Sequence, residues 1–166
     1  MCKGNGCNVM MDAVTFNLCT LVAVDGAAVA LSNCHFTASS ALGAGISLLA
    51  HWAGTRVHAS NCSFTGGQQC IAVHSGASFQ GRKIQCSRAE LQAVEVKDAG
   101  SKLSLSGSCS VSDVDVLRKY ISSKLFSKGV FVHSGASATL AGCSVVSCVR
   151  CAELSSSLHS TSNQQW

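Results

Sequence analysis

The chain reads as all-β, a right-handed parallel β-helix solenoid of about five coils with one short helical insertion. Three observations lead there. The pentapeptide His74-Ser-Gly-Ala-Ser78 recurs letter for letter as His133-Ser-Gly-Ala-Ser137. Weaker copies surround both, each with alternating apolar residues, a Gly and a second alternating run. The marker glycines Gly26, Gly54, Gly76, Gly100 and Gly135 stand 28, 22, 24 and 35 residues apart, a period that signals stacked repeats.

Within each repeat the elements follow in order. Upstream of the Gly lies an alternating apolar pair: Val22/Val24, Leu48/Ala50, Ile71/Val73, Val94/Val96 and Val130/Val132. Three places after the Gly stand Val29, Val57, Phe79, Leu103 and Ala138, and five places after stand Leu31, Ala59, Gly81, Leu105 and Leu140. The next apolar set, Cys34, Cys62, Ile84, Cys109 and Cys143, follows after an odd step. In a straight strand an odd step would flip the side chains to the opposite face. A corner must therefore intervene, and Ser32-Asn33, Ser60-Asn61, Ser106-Gly107-Ser108 and Ala141-Gly142 are residues that suit one. Strand, corner at Gly, strand, second corner, strand is one coil of a parallel β-helix.

The longest interval holds the insertion, residues 112–129. Val114, Leu117, Ile121 and Leu125 fall at helical spacing. Ser112 with Asp115 suits a helix start, and Lys124, Lys128 and Gly129 suit its end. The chain thus divides into an N-terminal segment 1–13, the solenoid 14–151 and a polar C-terminal tail 152–166. Neither terminus supplies a convincing cap for an open stack, which leaves room for a longer repeat array or a larger assembly.

Composition narrows the function. Of 166 residues 47% are apolar, 12% charged and 5% aromatic, with 15 Gly and no Pro. A disordered chain would be more charged and less apolar. The net charge of +4 is dispersed along the sequence, and no stacking aromatics are interleaved with the cations, so nucleic acid is not expected as a partner. No apolar run reaches the ~20 residues of a membrane span, and residues 1–7 contain no apolar segment of a secretory signal.

The fullest repeat, Val22-Ala-Val-Asp-Gly-Ala-Ala-Val-Ala-Leu-Ser-Asn-Cys-His-Phe36, resembles the right-handed parallel β-helix, or pectin-lyase-like, superfamily. Its repeat style is similar to that of polymorphic outer-membrane and autotransporter-type passengers and of algal β-helix proteins. Gly43-Ala-Gly-Ile46 is close to the Gly-Gly-Ala-Ile signature of the first group. The resemblance covers residues 14–151. It implies a β-helix, and it raises the cell surface as a compartment; buried free thiols would fit a reducing interior instead. It also raises polysaccharide hydrolysis or lyase chemistry.

Three constellations could carry chemistry. Cys34, Cys62, Cys109 and Cys143 share one repeat position, as an inward ladder of free thiols would; side chains projecting in parallel suit a disulfide poorly. Cys148-Val-Arg-Cys151 has metal-site spacing, but Cys2 and Cys7 lie at the opposite end of the stack, so no zinc site closes and no cofactor is expected. The residues that leave the first strand, Asp25, His51, His74, Lys97 and His133, form a stripe along one edge. As a binding or acid–base row it would have Lys97 between His74 and His133, although a strand exit favours polar residues in any case. Glycoside hydrolysis wants two positioned carboxylates and Ca²⁺ several oxygen ligands, and the eight acidic residues are scattered. The sequence therefore points to a non-catalytic structural or binding module whose flat faces meet a protein or carbohydrate partner. The alternative is a polysaccharide lyase or hydrolase centred on Lys97, His74 and His133. An ice-binding face is disfavoured because the threonines do not line up.

Overall fold

The computed structural model describes residues 1–38, 45–112, 114, 128–145, 150–154 and 158–160, with the backbone alone described for 128, 150–154 and 158–160. The first coil holds β1 (Cys2–Lys3), β2 (Asn8–Asp12) and β3 (Thr15–Asn17). The second holds β4 (Leu21–Val24), β5 (Ala28–Ser32) and β6 (His35–Ala38), and the third β7 (Ile46–His51), β8 (Arg56–Ser60) and β9 (Ser63–Gly66). The fourth holds β10 (Gln69–His74), β11 (Ser78–Arg82) and β12 (Gln85–Ser87). After it come β13 (Gln92–Lys97) with the long β14 (Lys102–Ser112), then β15 (Lys128–His133) with β16 (Ser137–Val145), then β17 (Arg150–Leu154) and β18 (Leu158–Ser160).

Every pairing among these strands is parallel, and the chain is a β-solenoid. The first sheet runs β1-β4-β7-β10-β13-β15-β17. The second runs β2-β5-β8-β11-β14-β12-β9-β6-β3, with β14 long enough to join the second-strand and third-strand rows. Four coils keep three separate strands. The five marker glycines fall in the second coil and its successors, so strands stack beyond the expected solenoid at both ends. Residues 1–13 carry β1 and β2, and β18 lies within 152–166.

Inward residues pile in columns. Val9, Val29, Val57, Phe79, Leu103 and Ala138 are register partners in succession. Phe16, Phe36 and Phe64 form another column, with ring centroids 4.2 Å and 4.7 Å apart and interplanar angles of 3° and 12°. Parallel coils about 4.8 Å apart impose this face-to-face stacking on like residues.

The first-sheet register corrects the sequence reading in one coil. Leu21 and Ala23, not Val22 and Val24, pair with Leu48 and Ala50. The turn from first to second strand varies in length: His74 stands two residues before its Gly, but His51 and Lys97 stand three before theirs. Counting back from the Gly therefore loses the phase. The longer turns bring a compensation. Where the Gly is followed by Thr55 or Ser101 instead of Ala, the buried hydroxyl accepts the N–H of the preceding coil's Gly, Gly26 to Thr55 Oγ1 at 3.1 Å and Gly76 to Ser101 Oγ at 2.9 Å.

The helical insertion expected over 112–129 lies mostly outside the described residues, and its edges are strand. Ser112 ends β14 in register with Ser87, and Lys128 opens β15 opposite Gln92. No helix occurs among the described residues, and none is long and apolar enough to cross a membrane.

Two substitutions probe this packing. A Cβ on Gly81 would stand 2.6 Å from Ile84, 2.7 Å from Leu105 and 2.8 Å from Phe79. Gly81→Ala should lower stability by about 1–3 kcal/mol through overpacking, read as a lower midpoint in thermal or urea unfolding. Ser101→Ala leaves the Gly76 N–H without its acceptor and should cost about 1–3 kcal/mol, whereas Ser104→Ala, on the outward face of the strand that follows, should change the midpoint little.

Candidate functional site

The outward face of the first sheet is built from the alternate residues of β4, β7, β10, β13 and β15. One register row consists of Val24, His51, His74, Lys97 and His133. Four of the five expected stripe residues thus lie side by side. Asp25 does not join them, because it falls one place later in the turn, at φ 57°. It faces Lys3 at 3.6 Å with both side chains well exposed, a pair that contributes little to stability.

The adjacent outward row, Val22, Leu49, Ala72, Glu95 and Phe131, supplies the residue that organises the stripe. Glu95 is nearly enclosed. His74 Nε2 lies 2.9 Å from its Oε2 and His133 Nε2 lies 3.3 Å from its Oε1. Gln69 Nε2 donates to Oε2 at 2.9 Å and to Gln92 Oε1 at 2.6 Å. Burial alone would raise the Glu95 carboxyl, but the hydrogen bonds from His74, Gln69 and His133 outweigh it and bring the group down to about 2. A carboxylate held so firmly ionised is a poor proton donor near neutral pH.

The stripe continues through hydroxyl bridges. His51 Nε2 is 2.9 Å from Ser75 Oγ, and Ser75 donates both its N–H and its Oγ–H to Asp98 Oδ2 at 3.2 Å. His51 stacks on Trp52 with centroids 4.6 Å apart and meets His74 edge-on. Burial, with His74 nearby, lowers the His51 imidazole below its ordinary value. His133 reaches Ser134 Oγ through Nδ1 at 3.0 Å. His51, His74, His133, Glu95 and Asp98 therefore engage one another or the neighbouring hydroxyls and amides.

The second sheet presents a different surface. The outward residues of β2, β5, β8, β11 and β14 line a shallow groove of about 670 Å³ whose polar wall includes Ser60, Gln80, Arg82, Ser104 and Ser106, with His58 beside them. Arg56, His58, Arg82 and Lys102 are exposed on these strands, and Asp12 is the sole acidic residue in them. Ser32 Oγ at 2.6 Å and Asn33 Nδ2 at 2.9 Å donate to Asp12 Oδ1 and lower its carboxyl. Asn61 in turn donates to Asn33 at 2.7 Å, so an amide row runs along the second corner. Sequence reading missed this groove. Its signal was available at even offsets from the marker glycine, as in Gly54 to His58 and Gly76 to Gln80 and Arg82, but those positions look like ordinary exposed strand residues.

The cysteines do not form one continuous ladder. Cys34 and Cys62 adjoin, Ile84 takes the next place, and Cys109 and Cys143 adjoin beyond it. Cys2 and Cys7 form a disulfide, with Cα atoms 6.2 Å apart, across the corner between β1 and β2. The side chains of Cys148 and Cys151 lie outside the described residues. Among the described residues, no three His, Cys, Asp or Glu side chains converge to hold a metal ion.

Fold and faces together define an all-parallel β-solenoid with one closed and one open outer surface. No protein-family model, curated protein or solved structure matches the chain.

The Glu95 cluster predicts a pH dependence. Because the folded-state value lies below the ordinary one near 4.5, its stabilisation is complete above pH 4.5 and is lost as the pH falls toward about 2. Glu95→Gln should cost about 2 kcal/mol at neutral pH and flatten the unfolding midpoint across that acidic interval, as followed by circular dichroism.

Proposed function

We propose that the chain is a non-catalytic binding module of pectin-lyase-like repeat style, similar to autotransporter-type passengers, which presents a flat solenoid face to a carbohydrate or protein partner. The observation that carries this reading is the groove on the second sheet. Its polar groups, Ser32, then His58 and Ser60, then Gln80 and Arg82, then Ser104 and Ser106, follow one another at the coil spacing of about 4.8 Å, so they offer successive hydrogen bonds to an extended partner. The excess of Arg56, Arg82 and Lys102 over Asp12 favours a partner that carries acidic groups.

The competing reading, a polysaccharide lyase or hydrolase centred on Lys97, His74 and His133, has less support. His74 and His133 both turn Nε2 to Glu95, and among the described side chains Glu95 is the carboxylate that both histidines meet.

Affinity electrophoresis and calorimetry against polygalacturonate, alginate and neutral glucans test the proposal. Binding should be weakened about tenfold or more by Arg82→Ala combined with His58→Ala, equivalent to roughly 1.4 kcal/mol, with the fold intact by circular dichroism. Ultraviolet absorbance and reducing ends, followed with and without Ca²⁺, should stay flat. Turnover that disappears in Lys97→Ala would overturn the binding-module reading.

A further inference from the structure

The described free thiols include three neighbouring pairs: Cys34 with Cys62 and Cys109 with Cys143, each from successive coils, and Cys70 with Cys86, both from the fourth coil. Two of these pairs are sealed, since Cys34, Cys62, Cys70 and Cys86 are all buried. The third is not. Cys109 on β14 is buried, but its register partner Cys143 on β16 is partly exposed. Direct register partners sit about 4.8 Å apart at Cα, inside the range that a disulfide spans. The strands are irregular beside the pair, where the register shifts between Ser106 and Cys109 and the corner holds one residue more than the corner before Cys34 or Cys62. That extra residue sets the pair apart from the regular stack, where parallel projection disfavours a bond.

We propose that Cys109 and Cys143 are a peroxide-responsive dithiol, which closes to a disulfide joining two successive coils. The polar surroundings of Cys109 set it apart from the sealed pairs. Its Sγ accepts the Ile84 N–H at 3.3 Å and, as a thiol, faces the Ser106 carbonyl at 3.1 Å. The thiolate is the reactive form of cysteine, and the pairs differ in how far they allow it. Burial raises Cys62, and the Cys70 thiol together with burial raises Cys86. Cys109 shifts the other way, lowered by the Cys143 S–H and by backbone N–H groups despite burial, while Cys143 is raised in exchange.

The chemistry balances with hydrogen peroxide as the oxidant. The Cys109 thiolate attacks one peroxide oxygen, an S–O bond forms as the O–O bond breaks, and hydroxide leaves. That hydroxide takes the proton of Cys143 and becomes water. The Cys143 thiolate then attacks the Cys109 sulfur, the S–S bond forms, and the S–O bond breaks with loss of a second hydroxide. The two sulfurs together lose two electrons and the peroxide gains them.

The test uses the folded chain. It is exposed to a slight excess of hydrogen peroxide, alkylated under acidic denaturing conditions, digested without reduction and mapped by mass spectrometry. The expected product is a Cys109–Cys143 crosslink that forms roughly tenfold or more faster than any crosslink at Cys34–Cys62 or Cys70–Cys86. Cys143→Ser should give no crosslink and leave one added oxygen on Cys109, whereas Cys109→Ser should leave Cys143 unmodified over the same interval. Equal rates at all three pairs, or oxidation confined to exposed Cys19, would overturn the proposal without recourse to the variants. Oxidation of Cys143 at an undiminished rate in Cys109→Ser would also overturn it.

Discussion

Parallel in-register stacking governs this molecule. Each strand is hydrogen-bonded to the coils above and below, so a residue's neighbours are fixed by its counterparts about two dozen residues away in the chain. Side chains that agree with their column gain twice, once on each side. Phe16, Phe36 and Phe64 show the benefit, since rings of equal size stack with little tilt. The constraint also acts across columns. Phe79 is larger than Val57 beneath it and Leu103 above it, and the next inward residue on its own strand is Gly81. The missing side chain makes room for the ring, as the close approaches to Phe79, Leu105 and Ile84 indicate. A solenoid core is thus packed in two directions at once: like on like along the axis, large beside small within a coil.

Corners supply the slack that flat stacking forbids. The turn leaving the first strand uses positive φ at Asp25, Trp52, Ser75, Asp98 and Ser134 as well as at the marker glycines. Its length can change by a residue because the following strand re-enters register regardless. The added residue leaves a Gly N–H of the preceding coil near a buried position, and Thr55 and Ser101 accept it where other coils carry Ala. The second corner is more uniform. There Asn33 and Asn61 occupy the left-handed position and link their amides along the axis, which suits a residue type that tolerates that conformation.

These two kinds of order explain what could be read from the letters. Inward columns were legible because burial forces apolar residues into fixed phase, and the row through Val29, Val57, Phe79, Leu103 and Ala138 follows directly from the marker glycines. The phase failed only where it was carried back across a turn of variable length, which misplaced Val22, Val24 and Asp25. The first coil escaped notice although Gly6 stands three, five and ten residues before Val9, Met11 and Phe16, the marker offsets, because its first strand is only Cys2–Lys3 and supplies no alternating apolar pair upstream. Outward chemistry was harder still. His74, His133 and Lys97 were found as a row, but Glu95, which binds both histidines, belongs to the neighbouring row two residues upstream of Lys97. Diagonal contacts of that kind leave no periodic trace in a sequence, and neither does the adjacency of Cys70 with Cys86.

The contrast between the outer faces follows from where charge falls in those diagonals. Among the described side chains of the first sheet, Glu95 sits within reach of two imidazoles and an amide and is satisfied by them, and Ala72 in the same row is fully buried. On the second sheet the cations of successive coils have no carboxylate between them, and Asp12 is already engaged by Ser32 and Asn33 at one end. Like charges on adjacent strands repel when directly opposed. Arg56, Arg82 and Lys102 avoid that by spreading over two outward rows, with Ser78 between Arg56 and Lys102 and with Ser60 and Ser106 on either side of Arg82. Such a surface is stable alone, yet it retains unneutralised positive charge and unfilled hydrogen-bonding capacity. A ligand with acidic and hydroxyl groups would meet both without disturbing a single column of the core.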